Sequence, residues 1–404
     1  MNSMDKIRYY IRNSYDYFFA ILILFLPFSK SVPNITMALL IAFFVIDFKK
    51  GNFRNYTKSS SFILFLLVCY LFGQAILNGS FITDLEFYKK YFYVLIIPIL
   101  FLKVNDFELL KKAALVTINA AIIVSLFKIS VFYFDFGYFP FNEGWATNYV
   151  LVLERPYAGI FSILSIILSF DQIQRNPKKR YLFLASCLLS VFFIMFIAIR
   201  ISILTFFVLF GIYIFFYMKL AFKRKMILFI GLLTTIALGL IFNKNISKRF
   251  FINDSIEKTL EKAKQSEPRV IIYGCAKDIT DQADFSVFFG TDSYSNIEKS
   301  LVDCYKNTIE DYSRRSFFLE KRYNTHSQFI DFYLIGGLIA IIIFLGFFVK
   351  SIFEFHSSFF TVAILVSFLM MLTIENIFHR QFGCFIFIIF TGLYLNEKSD
   401  YGKI

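Results

Sequence analysis

The chain has 404 residues, of which 58% are hydrophobic and 18% charged, and its mean hydropathy is +0.64. These values exclude a soluble globular domain of this length and indicate a polytopic membrane protein. The net charge of +13 does not indicate nucleic-acid binding, because many basic residues follow the loops of the predicted membrane topology.

Apolar runs recur along the chain and predict an all-α membrane protein with about twelve spans. The runs lie near residues 15–28, 32–47, 61–77, 90–102, 113–134, 156–170, 181–199, 201–218, 226–242, 328–349, 358–374 and 382–395. Several are shorter than the roughly 20 residues of a straight span, so the number has a margin of one or two. The first run is expected to be a retained span, because no small-residue cleavage site follows Phe28.

Basic residues in alternate short connections predict the orientation. The clusters are Lys49, Lys50, Arg54 and Lys58; Lys103, Lys111 and Lys112; Arg175, Lys178, Lys179 and Arg180; and Lys219, Lys223, Arg224 and Lys225. The positive-inside rule places these loops and both termini in the cytoplasm. We therefore expect a membrane bundle over residues 1–242 with spans one to nine. A large extracytoplasmic loop with short helices follows over 243–327, and spans ten to twelve with a cytoplasmic tail over 328–404. The smaller loop 135–155 is also expected outside.

The large loop contains two cysteines, Cys275 and Cys304. A disulfide between them is one interpretation if the compartment is oxidising. Two unpaired thiols are the other, because spacing alone does not show that the Cα atoms approach each other.

Carboxylates at Asp278, Asp281 and Asp284 follow one another at three-residue intervals. This spacing favours a solvated acidic face of a helix over a divalent-metal cluster. The sequence has no Cys/His cluster of zinc spacing and no glycine-rich nucleotide loop, so no metal or cofactor is expected.

Two arginines are candidate anion ligands. Arg200 lies between two apolar runs, where the topology places the outer membrane face. A guanidinium matches phosphate oxygens, so an anion site is one interpretation and a snorkelling arginine is the other. Arg269 follows Pro268, which is a helix-start signal. An arginine in the first turn opposes the helix dipole, so we expect it to pair with an anion or with a carboxylate.

His326 is the candidate general base. It is expected to open the tenth span, with Asn324 or Thr325 capping the helix. The positive end of the dipole favours an uncharged imidazole, which can take a proton from a sugar hydroxyl. The alternative is an interfacial histidine that is satisfied by its neighbours.

Other polar residues cluster at the same predicted face, especially between residues 375 and 381 at the outer end of span eleven. They either line a cavity shared with the candidates above or form only a short connection. The secondary candidates for the site are Arg155, Tyr157, Lys89, Lys90, Glu375, Arg380, Asn324 and Gln328.

Several separate segments together resemble the O-antigen ligase and polymerase superfamily, whose members are polytopic glycosyltransferases. The segments are Arg200-Ile201-Ser202 after an apolar helix; Arg269 with Tyr273 and Ala276, followed by Phe288-Phe289-Gly290-Thr291-Asp292; and Asn324-Thr325-His326-Ser327-Gln328-Phe329 with Gly336-Gly337. Arg155-Pro156-Tyr157 and residues 375–383 further resemble ligase-like members. Ser327 departs from the asparagine that commonly follows the histidine, and Ile199 replaces a small polar residue.

The resemblance implies a GT-C-like fold in the bacterial inner membrane, with an active site that faces the periplasm. It also implies that Arg200 and Arg269 hold a diphosphate and that His326 engages the acceptor hydroxyl. The expected activity is that of an O-antigen ligase in lipopolysaccharide biosynthesis. Such an enzyme is inverting and metal-independent, and it moves a glycan from undecaprenyl diphosphate to lipid A-core oligosaccharide. We expect a monomer whose partners are these two substrates and membrane lipids.

Three alternatives stay open. A repeat-unit polymerase of the same superfamily uses another carrier-linked glycan as its acceptor, and a protein glycosylase uses a polypeptide. A lipid-linked glycan transporter or flippase belongs to a different class and predicts charges at the midplane and on both faces of one pathway.

Overall fold

The computed structural model describes residues 3–48, 54, 56–142, 144–242 and 267–397. That part of the chain is helical and contains no β-strand, apart from an isolated bridge between Ser286 and Gly290. The predicted all-α class is therefore confirmed for these residues.

The helices follow one another with short connections except in the predicted outer loop. The first group is α1 (Ser3–Phe25), α2 (Ser31–Ile46), α3 (Ser61–Leu77), α4 (Leu85–Tyr88), α5 (Tyr91–Phe101) and α6 (Phe107–Phe136). The second group is α7 (Gly144–Val150), α8 (Arg155–Arg175), α9 (Arg180–Ile197), α10 (Arg200–Ile212) and α11 (Phe222–Phe242). The loop helices are α12 (Pro268–Thr280), α13 (Tyr294–Thr308) and α14 (Tyr312–Lys321), and the last group is α15 (Gln328–Phe355), α16 (Phe359–Leu372) and α17 (Gln381–Leu395).

Five helical segments among the described residues are long and apolar enough to cross a membrane. They are Phe107–Phe136, Arg155–Arg175, Pro177–Ile197, Arg200–Tyr217 and Gln328–Phe355. Five shorter apolar helices accompany them: Ser14–Phe25, Ser31–Ile46, Ser61–Leu77, Phe359–Leu372 and Gln381–Leu395. The chain is thus an α-helical membrane protein, while twelve spans stay a prediction. Residues 243–266, the first part of the predicted outer loop, lie outside the described residues.

Helix α8 is the centre of the bundle. It packs against α6, α9, α10 and α16, and 83% of its most apolar window is buried. Small residues permit this close packing. A Cβ at Gly159 would lie 2.1 Å from the Ser202 Oγ on α10. The starts of α8 and α10 therefore lie side by side at one end of the bundle.

Helix α15 is broken at Gly337, which has φ 61° and ψ −160°. The turn that ends at Gly290, with φ 76°, packs into this break. The amides of Leu338 and Thr291 donate hydrogen bonds across the contact, to the Val287 carbonyl at 2.9 Å and to the Leu334 carbonyl at 2.8 Å. The predicted outer loop is therefore joined to α15 through its backbone.

The loop helices α12 and α13 are linked by a disulfide between Cys275 and Cys304, whose Cα atoms are 5.7 Å apart. Helix α12 ends at Thr280, so Asp281 is its C-cap and Asp284 lies beyond it. The predicted acidic helical face is therefore wrong. The sulfurs of Cys275 and Cys304 and a carboxylate oxygen of Asp278 lie within 4.8 Å of one another, but both sulfurs belong to the disulfide and are not free to bind a metal ion.

Candidate functional site

Three of the predicted site residues meet at the Glu375 carboxylate. Arg269 Nη2 lies 3.6 Å from Glu375 Oε1, and His326 Nδ1 lies 3.7 Å from Oε2. Glu267 approaches the other side of the guanidinium, with its Oε1 3.5 Å from Nη1. A guanidinium and an imidazole therefore both lie within 4 Å of the same carboxylate. The expectation that Arg269 pairs with a carboxylate agrees with this geometry.

Arg269 reaches this place because α12 begins at Pro268 and docks on the end of α16. Arg269 Nη2 donates to the Ile374 carbonyl at 3.4 Å. One turn later, the Tyr273 hydroxyl donates to the Thr373 carbonyl at 3.5 Å. The two side chains hold the first turn of α12 against the segment that carries Glu375.

His326 adopts a left-handed backbone conformation, with φ 46°. This conformation is uncommon outside glycine and costs about 1–3 kcal/mol, and such strain concentrates at functional sites. Helix α15 begins at Gln328, so the prediction that His326 opens the helix with an Asn324 or Thr325 cap is wrong. Asn324 Oδ1 instead accepts a hydrogen bond from the His326 amide at 3.1 Å.

Hydrogen bonds between the neighbours of Glu375 and His326 join the two segments that carry these residues. Asn376 follows Glu375, and its Nδ2 donates to Thr325 Oγ1, next to His326, at 2.7 Å. Both side chains are buried. Gln328 contributes a second link, because its Oε1 accepts from the Phe378 amide at 3.0 Å.

A layer of polar side chains behind the site joins α15 to the loop helix α13. His379 Nε2 lies 2.7 Å from Asp331 Oδ2, and its Nδ1 lies 3.4 Å from the Tyr294 hydroxyl. Burial, reinforced by the Asp331 charge, raises the pKa of Tyr294, so the phenol stays protonated. Asp331 Oδ1 also lies 3.4 Å from Thr325 Oγ1. This layer therefore supports the backbone next to His326.

Sequence reasoning missed two members of this layer. Asp331 lies within the apolar run of α15, and an ionisable residue inside a span is itself a signal of function or buried pairing. Tyr294 gives no comparable signal. Its place depends on Asp84, which accepts hydrogen bonds from the amides of Tyr294 and Ser295 at the start of α13.

Several buried polar atoms around Glu375 form no hydrogen bond with any described residue. They are Arg269 Nε, His326 Nδ1, Gln328 Nε2 and Asn376 Oδ1. A buried polar atom without a partner is costly, and native structures contain few of them. Their concentration here marks a place suited to a polar ligand.

Arg380, Tyr157 and Glu154 form a neighbouring group, which Arg155 does not join. Arg380 pairs with Glu154, and its guanidinium carbon lies 5.5 Å from the centre of the Tyr157 ring. Arg155 turns toward the loop that contains α7, where its Nη2 donates to Thr147 Oγ1 at 2.9 Å and to the Phe141 carbonyl. The structure thus places Arg155 as a support of that loop.

The remaining candidate cations lie around the same end of the bundle. Arg200 is exposed at the first residue of α10, which packs against α8 and α16. Lys89 is paired with Glu86. Lys90 is half-buried at the start of α5. Neither lysine joins the contacts around Glu375.

The sequence matches no protein-family model, and no curated protein is similar to it.

Proposed function

We propose that this protein is an inverting, metal-independent glycosyltransferase of the inner membrane, with its active site on the periplasmic side. It would move a glycan from undecaprenyl diphosphate to lipid A-core oligosaccharide, as an O-antigen ligase does in lipopolysaccharide biosynthesis. The observation that carries the proposal is the approach of Arg269 and His326 to the two oxygens of Glu375.

Each group has a role in a single displacement. The acceptor hydroxyl oxygen attacks the anomeric carbon while the bond from that carbon to the carrier phosphate breaks. The hydroxyl proton passes to His326, and Glu375 orients the imidazole and stabilises its charged form. The electron pair of the broken bond leaves with the diphosphate, whose growing charge Arg269 and Arg200 stabilise. One displacement inverts the anomeric configuration.

The separation between Arg269 and Glu375 suits this role. At 3.6 Å the contact is longer than a strong charge-assisted hydrogen bond of about 2.7–2.9 Å. A guanidinium carries five N–H donors, so a diphosphate can engage it while Glu375 remains near. The carboxylate then keeps His326 in place through the reaction.

The repeat-unit polymerase is the second candidate. The same arginines and histidine serve both activities, because the donor and the bond that breaks are the same. A flippase gains less support, since the charged residues at the opposite end of the bundle, Lys111, Asp171 and Arg175, pair with one another.

The test is glycan transfer in vesicles that contain a carrier-linked donor and lipid A-core. Wild type is compared with His326→Ala, Arg200→Ala and Arg269→Ala, each with and without a chelator. We expect each variant to lose about 100-fold or more in rate, and the chelator to have no effect. Extension of the donor glycan without transfer to the core would identify the polymerase instead. Wild-type protein that does neither would refute the proposal.

A further inference from the structure

A cavity of about 560 Å³ lies where the turn between α1 and α2 meets the starts of α8 and α17. Much of its wall is apolar. The apolar residues include Leu26, Phe28, Leu153, Phe382 and Phe385. Its volume is in the range of cavities that bind small ligands, and its wall suits the upper part of a lipid chain.

Two cations line the cavity, Lys30 and Arg380, together with one carboxylate, Glu154. Lys30 is exposed. Arg380 is held by its ion pair with Glu154 and by the ring of Tyr157. Although burial opposes its charge, the Glu154 hydrogen bond and neighbouring negative charges raise the pKa of Arg380. The lining therefore combines a guanidinium paired with a carboxylate and an exposed ammonium.

The helices around the cavity reinforce this positive field. Lys30, Glu154 and Arg380 are the N-cap residues of α2, α8 and α17. Three helices of 15 residues or more thus direct their positive ends toward the same space. A cation at an N-cap is unfavourable by itself, and an anion between Lys30 and Arg380 offsets that cost.

The cavity adjoins the site around Glu375. Arg380 follows Glu375 across the short turn Ile377–His379, and the charges of Arg380 and Glu375 interact. Arg200 and Arg269, to which the proposed function gives the donor diphosphate, do not line this cavity. The cavity therefore suits the second substrate.

Building on the proposed function, we infer that this cavity is the acceptor subsite and binds the phosphate of a phosphorylated lipid. Lys30 and Arg380 hold the phosphate, and the apolar wall takes the adjoining lipid chain. Lipid A-core and a carrier-linked glycan both have this chemistry, so the experiment must distinguish them.

The first arm measures binding to the full-length protein in detergent. The probes are lipid A, the same lipid A after removal of its phosphates, and undecaprenyl diphosphate. Wild type is compared with Lys30→Gln, Arg380→Gln and Arg380→Lys. The control is Lys277→Gln, an exposed lysine on α12 that does not line the cavity.

We expect wild type to bind lipid A roughly tenfold more tightly than its dephosphorylated form. Lys30→Gln and Arg380→Gln should each abolish most of that preference, while Lys277→Gln and Arg380→Lys retain it. The same dependence for undecaprenyl diphosphate, but not for lipid A, would identify a carrier-linked acceptor. Binding that ignores the phosphates and both substitutions would overturn the inference.

The second arm measures transfer kinetics in vesicles. The two Gln variants should raise KM for the acceptor and leave KM for the donor unchanged. An equal rise in donor KM, or no change in either, would contradict an acceptor subsite. If wild type transfers no glycan, the proposed function fails, but the binding arm still decides whether the cavity holds a lipid phosphate.

Discussion

The carboxylate of Glu375 lies close to both Arg269 and His326. The nearby carboxylate of Glu267 differs, because its ion pair is with Arg269 and not with His326. Glu375→Gln keeps the side-chain shape but removes the charge that, in the proposed mechanism, stabilises the imidazolium. We expect kcat to fall about 100-fold, in the range of general-base catalysis. Steady-state transfer rates in vesicles would measure it.

Glu267→Gln is the matched control for that variant. It removes a carboxylate from the same guanidinium but leaves His326 and its partner unchanged, so kcat should fall no more than about threefold. Equal losses in the two variants would show that Glu375 acts only through Arg269.

Arg269 also permits a test of geometry against charge. Arg269→Lys keeps the positive charge but lacks the planar fork that matches a diphosphate, and a lysine cannot replace it at such a site. We expect a loss of about tenfold for Lys and about 100-fold for Ala in kcat/KM for the donor. Lys277→Ala, in the last turn of the same helix, should be neutral. A fully active Arg269→Lys enzyme would argue against bidentate binding.

At this scale, sequence identified Arg269, His326 and Glu375 as candidates but not the contacts that join them. Arg269 and Glu375 are far apart in the chain, and their meeting depends on how α12 docks on the end of α16. The left-handed backbone conformation of His326 could not be predicted either. An asparagine at position 324 is compatible with a helix cap and equally with the observed hydrogen bond from the His326 amide to Asn324 Oδ1, so the residue type does not distinguish the two conformations.

Helix α15 depends on the break at Gly337. A Cβ at this position would lie 2.2 Å from the Phe288 carbonyl carbon, which is backbone and cannot swing away. Gly337→Ala should therefore destabilise the protein by at least about 1–3 kcal/mol, the cost of a strained backbone alone. The unfolding temperature of the purified protein in detergent would show the loss.

Gly346→Ala is the control on the same helix. Its new Cβ would meet no atom within 4 Å, and alanine favours a helix by about 1 kcal/mol over glycine. We expect an unchanged or higher unfolding temperature. If both variants unfold at the same temperature, the contact between the Gly290 turn and the break does not contribute to stability.

The glycine pair and the glycine turn were both recognised in the sequence through the family resemblance. That they pack against each other was not, because hydrophobic periodicity carries no information on which loop meets which helix. The three-residue spacing of Asp278 and Asp281 predicted a shared helical face, and this prediction was wrong because the spacing carries no information on where the helix ends. The pattern continues past Thr280, where the helix ends.

For the molecule as a whole, composition was enough to predict a helical membrane protein, since a single segment that crosses the bilayer must satisfy its backbone hydrogen bonds within a helix. Composition could not predict which ion pairs join the helices at the end of the bundle opposite the site. There Lys111 on α6 lies 2.7 Å from Asp171 on α8 and 2.8 Å from Glu397 beyond α17. Arg175 pairs with the same two carboxylates.

This ion-pair network joins α6, α8 and the residues that follow α17, so its loss should lower the stability of the whole protein. Lys111 is 0% exposed, and Lys111→Met would leave Asp171 and Glu397 with one cation for two buried or partly buried carboxylates. Removing one partner of a buried ion pair costs roughly 3–5 kcal/mol. The adjacent Lys112 is exposed, and Lys112→Met should change stability by no more than about 0.5 kcal/mol. Thermal unfolding of the two variants in detergent compares them directly. Similar unfolding temperatures would mean that apolar packing alone, rather than this network, joins α6, α8 and the end of α17.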